Sequence, residues 1–285
     1  MTTKTKKQIG AGVGAAAVVL LAAWSIFGGR SESTDNAYVE ANVATLSSKV
    51  PGLVSQVLVE ENQKVKKGQI LVVIDPRDYQ NALDQQEAQL RSIEANLKLA
   101  KKDEKRAVDL FAEQAVSAQY RDAAQAKAQE LSNQWSSLRA QIQQTELNLQ
   151  FTMLRAPEDG TIGKKSVDAG MVVSPGEPLL AFVDAATPWV DANFKETQLR
   201  KIRPGQRARI EIDSIAGKQF EAVVDSIAPG TGSTFALIPP ENATGNFTKI
   251  VQRVPVRLRF LVDSIKGYED RIVPGLSVEA KIIVN

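Results

Sequence analysis

The residue types that most often carry out chemistry in proteins are scarce in this chain. It contains no cysteine and no histidine, which excludes disulfides, thiolate metal sites and the commonest general base. Carboxylate pairs remain at Glu60–Glu61 and Glu269–Asp270. Both pairs fall in predicted turns, where carboxylates are usually exposed to solvent. The composition therefore indicates a protein that connects or binds other molecules, with no catalytic, cofactor or metal residue to nominate.

Two further features argue against nucleotide and nucleic-acid binding. The segment from Gly163 to Ser166 is similar to the end of a phosphate-binding loop, but Glu158 stands where such a loop requires its first glycine. We interpret the segment as a turn. The formal net charge of +2 over 285 residues is too small for a nucleic-acid footprint.

A motif that occurs twice organises the middle of the chain. One copy runs over 52–74 and the other over 160–182, so that Gly52 matches Gly160 and Val65 matches Val173. Each copy predicts two short strands joined by a polar turn. Because neither copy is long enough to bury a core alone, we expect the two to pack into one β-sandwich.

The paired motif resembles the two halves of lipoyl and biotinyl carrier domains. Those domains carry a modified lysine in a tight hairpin between the halves, and a long helical segment replaces that hairpin here. The resemblance therefore implies a lipoyl-like fold without a cofactor. Lys64, Lys66 and Lys67 lie in a different turn and are interpreted as solvated charges.

The segment between the two copies has the heptad-like apolar spacing of paired helices. A helix start is indicated by Asp75–Pro76, with the aspartate as N-cap and the proline at the first helical position. We predict an antiparallel α-helical coiled-coil hairpin over 76–151, with its tip near 113–118. Its apolar seam is narrow, so several hairpins packed side by side would bury more surface, which indicates an oligomer. The seam residues are Leu83, Leu90, Ile93, Leu97, Ala100, Ala107 and Phe111 in the first helix and Ala124, Ala128, Leu131, Trp135, Leu138, Ile142, Thr145 and Leu149 in the second.

The N-terminus carries a candidate membrane anchor. Residues 9–27 are uncharged and would form about 28 Å of helix, close to the thickness of a bilayer core. Lys4, Lys6 and Lys7 precede them, so the positive-inside rule predicts a cytoplasmic tail at 1–8 and an exported body. A cleaved signal peptide is the alternative, but the apolar stretch is long and lacks a clear small-residue cleavage site.

The C-terminal region, 185–285, has the short strands and turn signals of a small antiparallel β-barrel. A strand at 36–46 is expected to join it, which assigns 34–48 to the first barrel strand. The two sandwich halves are then 49–75 and 152–184. Together these segments predict a mixed α and β, elongated chain: a β-barrel, a split lipoyl-like β-sandwich, an α-helical hairpin and an N-terminal transmembrane helix.

A long Gly- and Pro-rich loop at 230–249 interrupts the barrel pattern. Loops of this length are usually functional or disordered. Phe235, Leu237, Ile238 and Phe247 make it a candidate interface with a partner protein, a neighbouring protomer or a bound molecule. A loop folded onto its own barrel is the alternative.

Three long segments carry a family resemblance: Thr34–Tyr79, Trp189–Gln206 and Gly230–Leu258. They are similar to the membrane fusion proteins (periplasmic adaptors) of the HlyD/EmrA family, and the last two to its EmrA-like branch. The resemblance implies an adaptor that links a proton-driven major-facilitator exporter in the bacterial inner membrane to a TolC-like outer-membrane channel. It also implies trimers or hexamers and amphipathic or hydrophobic toxic cargo. The predicted hairpin is shorter than the long hairpins of the EmrA-like branch.

Arg106, Leu110 and Ser117 match the Arg-x3-Leu-x6-Ser pattern that adaptors of this family present to the outer-membrane channel. Arg106 and Leu110 are four residues apart and so share a helical face. An arginine can donate to the carbonyls of a partner's helical tip, and a leucine supplies a small apolar anchor. The alternatives are a solvated charge for Arg106, a seam residue for Leu110 and an ordinary N-cap for Ser117.

Other functions remain open at this point. An adaptor of an ABC-driven type I secretion system would have the same fold, and a permease gene in the same operon would identify it. A carrier-domain component of an enzyme would show a covalent lipoyl or biotinyl adduct. A membrane-tethered binding protein acting alone would be recovered without membrane partners.

Overall fold

A computed structural model describes residues 31–184, 188–234 and 251–284. The chain divides into two compact units: the first contains the residues up to 42 and from 186 onward, and the second contains 43–185. The predicted tail at 1–8, the predicted span at 9–27, and Phe235, Leu237, Ile238 and Phe247 lie outside the described residues. None of the helices in the described ranges has both the length and the apolar character that a membrane crossing requires.

The described elements follow the order that the sequence pattern indicates, with strands on either side of a pair of long helices. The strands are β1 (Ser31–Glu40), β2 (Val43–Ser47), β3 (Gly52–Val57), β4 (Lys64–Val65), β5 (Ile70–Ile74), β6 (Met153–Arg155), β7 (Gly160–Lys165), β8 (Val172–Val173), β9 (Pro178–Asp184), β10 (Trp189–Lys195), β11 (Arg207–Ile212), β12 (Gln219–Ile227), β13 (Arg253–Phe260) and β14 (Ser277–Ile283). The helices are α1 (Arg77–Ala112), α2 (Ala118–Phe151) and the single turn α3 (Val262–Ile265), with a 3-10 turn at Glu269–Arg271.

The first unit contains a closed antiparallel barrel of strands in the order β1-β10-β13-β12-β11-β14. Inward and outward residues alternate along each strand. In β10, for example, Val190, Ala192 and Phe194 are fully buried while the residues between them face outward. Phe220 and Phe260 meet edge to face in the core, with ring centroids 6.2 Å apart. Closure leaves these strands without an unpaired edge.

The strand predicted at 36–46, and with it the assignment of 34–48 to the barrel, is wrong at its C-terminal end. Strand β1 ends at Glu40, and β2 pairs with β9 in the other unit, with Val43 opposite Val183. The boundary therefore lies at 41–42, and the first half of the sandwich begins at Val43 rather than at residue 49. Both strands have extended, alternating sequences, so the local pattern does not reveal that the partner strands change.

The second unit contains a β-sandwich built from both copies of the repeated motif, as the repeat predicts. Its sheets have the strand orders β2-β9-β7-β4 and β6-β5-β3-β8. The copies exchange short strands: Val65 of the first lies opposite Gly160, and Val173 of the second lies opposite Gly52. The sequence repeat matches Gly52 with Gly160 and Val65 with Val173, so the two pairings are equivalent in the two copies. Each copy thus completes a sheet of the other, around a core that includes Leu71, Ile74, Ile162, Leu179, Leu180 and Phe182.

Helices α1 and α2 connect the two halves of the sandwich in the chain and pack antiparallel against each other. Leu83 near the start of α1 packs with Leu138 and Ile142 of α2. Farther along α1, Leu97 and Ala100 pack with Ala128 and Leu131, which lie earlier in α2. These buried residues are members of the predicted seam.

The base of the helix pair is fastened to the sandwich by polar contacts. Asp75 Oδ1 accepts a hydrogen bond from the backbone N–H of Arg77 at 3.1 Å. Pro76 already has helical backbone angles, so Asp75 stands in the N-cap position before it. The hydroxyl of Tyr79 donates to the carbonyl oxygen of Pro51 at 2.7 Å. The Lys49 ammonium lies 4.6 Å from the ring centroid of Phe151, the last residue of α2.

Candidate functional site

The turn between α1 and α2 has a defined hydrogen-bonded geometry. Gln114 adopts a left-handed backbone conformation, with φ of 58°. Its N–H donates to the carbonyl of Phe111 at 3.0 Å, and the N–H of Ala115 donates to the carbonyl of Leu110 at 2.9 Å. This is the Schellman arrangement that ends many helices, with glutamine at the position that glycine usually occupies. These two bonds satisfy the carbonyls of Leu110 and Phe111 in the last turn of α1 without a partner molecule.

Helix α2 begins at a side-chain cap. Ser117 has an extended backbone, and its Oγ accepts a hydrogen bond from the N–H of Tyr120 at 3.3 Å. The serine is exposed, and in the described part of the chain its hydroxyl hydrogen has no acceptor. The hydroxyl can therefore cap the helix and still donate to a second molecule.

Arg106 and Leu110 lie on one exposed face of the last turns of α1. The Arg106 side chain is 70% exposed and forms an ion pair with Asp103, one turn earlier. Leu110 is 39% exposed, whereas Ala107 beside them is fully buried against the second helix. A surface ion pair contributes at most about 1 kcal/mol, so the guanidinium can leave Asp103 for a better acceptor.

An aromatic contact joins the two helices beside the turn. The guanidinium of Arg121 stacks on the ring of Phe111 at 4.2 Å from the centroid, and it pairs with Asp122 at 2.6 Å. The heptad pattern predicted Phe111 in the seam, but Arg121 was not identified from the sequence. The position of Arg121 in the first turn of α2 could have indicated this contact. Residues at equal distances from the tip face each other in an antiparallel hairpin.

An open groove of about 490 Å³ lies between the helices near the tip. Its rim includes Leu99 and Tyr120, which are 57% and 56% exposed. The heptad pattern does not predict this surface, because both residues lie outside the seam. Asp103 belongs both to the groove and to the ion pair with Arg106. The groove is lined by Asn96, Leu99, Ala100, Asp103, Tyr120, Ala123, Ala124, Lys127 and Leu131.

Two carboxyl groups of the barrel have shifted pKa values, in opposite directions. The hydrogen bond from Lys201 lowers the pKa of Glu32. Burial raises the pKa of Asp191, and the nearby charge of Glu40 acts in the same direction while Arg257 opposes it. Asp191 Oδ1 is buried and has no hydrogen-bond partner among the described residues.

The electrostatics of the described residues do not indicate a reaction centre. Within 31–184, 188–234 and 251–284, no three His, Cys, Asp or Glu side chains are grouped so as to hold a metal ion. The prominent geometry is instead the hairpin tip. There Arg106 and Leu110 share a face, and Ser117 occupies the connecting turn. In the barrel unit, the structure describes only residues 230–234 of the candidate interface loop at 230–249.

Family models match most of the chain. The model described as the barrel-sandwich hybrid domain of RND membrane fusion proteins matches residues 42–185. The model described as the CusB-like β-barrel domain matches residues 187–234. The first match begins close to the boundary that the structure places at 41–42.

Individual proteins give the same result. The colistin resistance protein EmrA of Acinetobacter baumannii is 34% identical over 307 residues, covering 88% of this chain and 86% of that protein. The multidrug export protein EmrA of Escherichia coli is 32% identical over 293 residues, covering 86% and 75%. Among solved structures, the membrane fusion protein Spr0693 of Streptococcus pneumoniae aligns with a TM-score of 0.66 at 15% identity, covering 90% and 99%.

Proposed function

This chain belongs to the membrane fusion protein family, as an EmrA-like member, and we propose that it is the periplasmic adaptor of a Gram-negative tripartite multidrug efflux pump. In this role it links a proton-driven major-facilitator exporter to a TolC-like outer-membrane channel. Its contribution is assembly rather than catalysis. Cargo moves through the exporter, and the adaptor joins the two membranes.

The observation that carries the proposal is the exposed pair Arg106 and Leu110 at the closed end of the helix pair. Helix α1 has 36 residues and extends over roughly 54 Å, which places its tip far from the sandwich. The Arg106 guanidinium can donate hydrogen bonds to backbone carbonyls of a channel, and Leu110 can enter a small apolar pocket. Ser117 adds a hydroxyl donor in the adjoining turn. The two helix caps hold these groups in place before the partner arrives.

Residues 9–27 anchor the chain in the inner membrane, with the N-terminus in the cytoplasm and the body in the periplasm. Residues Phe235, Leu237, Ile238 and Phe247 provide an apolar surface for the exporter, a neighbouring protomer or the substrate. The narrow seam of the coiled-coil hairpin and the exposed groove beside it support assembly as a trimer or hexamer, because both leave apolar surface that a neighbouring copy would cover.

The test is a mild-detergent pull-down of the tagged full-length chain from its native membrane, with mass spectrometry of the proteins that accompany it. A major-facilitator exporter together with an outer-membrane channel is the expected result. Recovery of an ABC transporter instead would reassign the chain to type I secretion. Recovery of the chain alone would contradict the adaptor proposal.

A parallel pull-down of the double variant Arg106→Asp, Leu110→Ser separates the channel contact from the exporter contact. We expect this variant to retain the exporter and lose the channel. Lys105→Asp is the matched control, since Lys105 is an exposed cation next to Arg106 that forms no ion pair within the described residues. Loss of the channel in the control as well would indicate a general charge effect instead of recognition by the tip.

A further inference from the structure

The connection between β10 and β11 is fastened to the first residues of β1. Lys201 Nζ donates to Glu32 Oε1 at 2.7 Å, and Gln198 Nε2 donates to Glu32 Oε2 at 3.1 Å and to the carbonyl of Ser33 at 3.1 Å. The Glu32 side chain is only 16% exposed, whereas the Lys201 side chain is 51% exposed. The connection at 196–206 therefore lies at the end of the barrel where the chain enters it.

This end of the barrel is close to the proposed anchor in the chain. Strand β1 begins at Ser31, and the apolar stretch of the sequence ends at Phe27. The backbone between Phe27 and Ser31 spans at most about 14 Å, even when fully extended. If residues 9–27 cross the membrane, as the proposed function holds, the barrel end that carries the connection must lie beside the lipid headgroups.

The same barrel end is rich in cations. Lys195 and Arg253 lie directly opposite each other at the ends of β10 and β13. Like charges in that relation repel each other. Arg200, Lys201 and Arg203 follow in the connection, and all three are exposed. Positive charge is therefore concentrated where the chain leaves the proposed anchor.

Few of these charges are compensated within the chain. Lys201 pairs with Glu32, and the Arg203 guanidinium donates to the carbonyls of Leu199 and Ile202. By contrast, Lys195, Arg200 and Arg253 have no side-chain hydrogen bond or ion pair within the described ranges. Glu196 supplies one further negative charge in the connection. An anionic surface that lay against this end would relieve the repulsion.

We propose that the barrel end formed by Lys195, Arg200, Lys201, Arg203 and Arg253 binds the anionic phospholipid headgroups of the membrane that holds the anchor. Phosphate groups accept charge-assisted hydrogen bonds from arginine and lysine. Basic residues near an anionic bilayer strengthen association by roughly five-fold each. A headgroup contact would add a second point of attachment to the single helix and limit the tilt of the barrel.

The test uses the full-length chain reconstituted into vesicles. The chain has no cysteine, so Thr197→Cys creates a single labelling position in the connection. Ser214→Cys provides a matched position in the turn between β11 and β12, at the other end of the barrel. A fluorophore at either position is exposed to a quencher attached to the lipid headgroups. The vesicles contain phosphatidylcholine alone or with phosphatidylglycerol.

We expect several-fold stronger quenching at position 197 in the phosphatidylglycerol vesicles, and loss of that difference at about 0.5 M salt, where screening is strong. The label at position 214 should not respond to lipid charge. Combining Lys195→Ser with Arg200→Ser should weaken the contact roughly twenty-five-fold. The charge-matched control, Lys164→Ser with Lys266→Ser, should leave it unchanged, since both lysines are exposed and lie elsewhere.

The outcomes separate this inference from the proposed function on which it rests. Equal quenching in neutral and anionic vesicles would overturn the headgroup contact alone. Quenching that appears only after an exporter is reconstituted with the chain would also overturn it and indicate an acidic protein surface as the partner. Release of the chain from the vesicles by alkaline extraction would overturn the anchor, and the headgroup contact with it.

Discussion

Gly160 lies directly against the ring of Phe182 in the sandwich core. A Cβ atom built on Gly160 would stand 2.4 Å from Phe182 Cζ and 2.4 Å from the carbonyl oxygen of Val183. No side chain fits there, because Phe182 is itself only 2% exposed and the carbonyl belongs to the paired strand. The glycine that the sequence repeat marks is therefore required by close approach in the core.

Replacement of Gly160 by alanine should destabilise the sandwich by at least about 1–3 kcal/mol, the usual cost of overpacking a core. Gly163→Ala is the matched control in the same strand. Its Cβ would meet nothing closer than 3.6 Å, and its effect should stay within about 0.5 kcal/mol. Urea unfolding of the three proteins measures the difference. Equal stability of the two variants would show that Phe182 moves aside at little cost.

Glycine at position 114 should stabilise the hairpin tip. Gln114 has a left-handed backbone conformation, and glycine adopts it without the strain that a Cβ imposes, so Gln114→Gly should gain about 0.5–1 kcal/mol. Hydrogen exchange of the Ala115 amide, which bonds to Leu110, reports on the turn. Ala115→Gly is the control and should bring no gain. Faster exchange in Gln114→Gly would mean that the glutamine side chain supports the turn.

Arg106→Asp or Leu110→Ser should abolish drug export while leaving the fold intact. Both side chains are exposed, so neither change opens a cavity in the core. Loss of an interface anchor of this kind weakens binding by about 2 kcal/mol, or roughly thirty-fold. Drug susceptibility of cells measures export, and thermal unfolding measures the fold. Normal export by both variants would show that these residues do not form the channel contact.

Asp191→Asn should stabilise the barrel at neutral pH. Burial raises the pKa of Asp191 above its unfolded value, so the folded state binds the proton more tightly and wild-type stability falls as the pH rises through the folded pKa. Asparagine does not ionise. We expect a gain of up to about 1 kcal/mol at pH 7, because Asp191 is only half-buried, with little gain below about pH 4, where the aspartate is protonated.

Unfolding midpoints of both proteins at the two pH values test this expectation. Asp225→Asn is the control, since Asp225 is exposed and pairs with Arg259 at 3.4 Å, and it should give no gain at pH 7. A less stable Asp191→Asn at pH 7 would show that attraction to Arg257 outweighs the burial of the carboxylate.

The sequence was most informative where its pattern is periodic or repeated. The match of Gly52 with Gly160 predicted one sandwich from two halves, and the heptad spacing of residues such as Leu83 and Leu97 predicted which face of each helix is buried. Both signals depend on local geometry, because strand and helix periods fix which side chains share a face. The structure reproduces both.

Pairing between distant strands was less accessible. The pattern of 36–46 is continuous although β1 and β2 join different sheets, so the boundary at 41–42 could not be identified locally. The groove beside Leu99 and Tyr120 depends on how two helices align, and the shielding of Asp191 depends on the neighbouring strands. Such features arise from tertiary contacts, which the local sequence of a single segment does not determine.

The exchange of β4 and β8 between the two halves makes the length of the hairpin independent of the stability of the sandwich. Every strand contact of the two sheets lies within 43–74 and 153–184, outside α1 and α2. Adding or removing one heptad from each helix would shift the tip by about 10 Å without altering a strand register. Evolution can thus adjust the reach of such a protein across a periplasm of a given width as a trait separate from its folding.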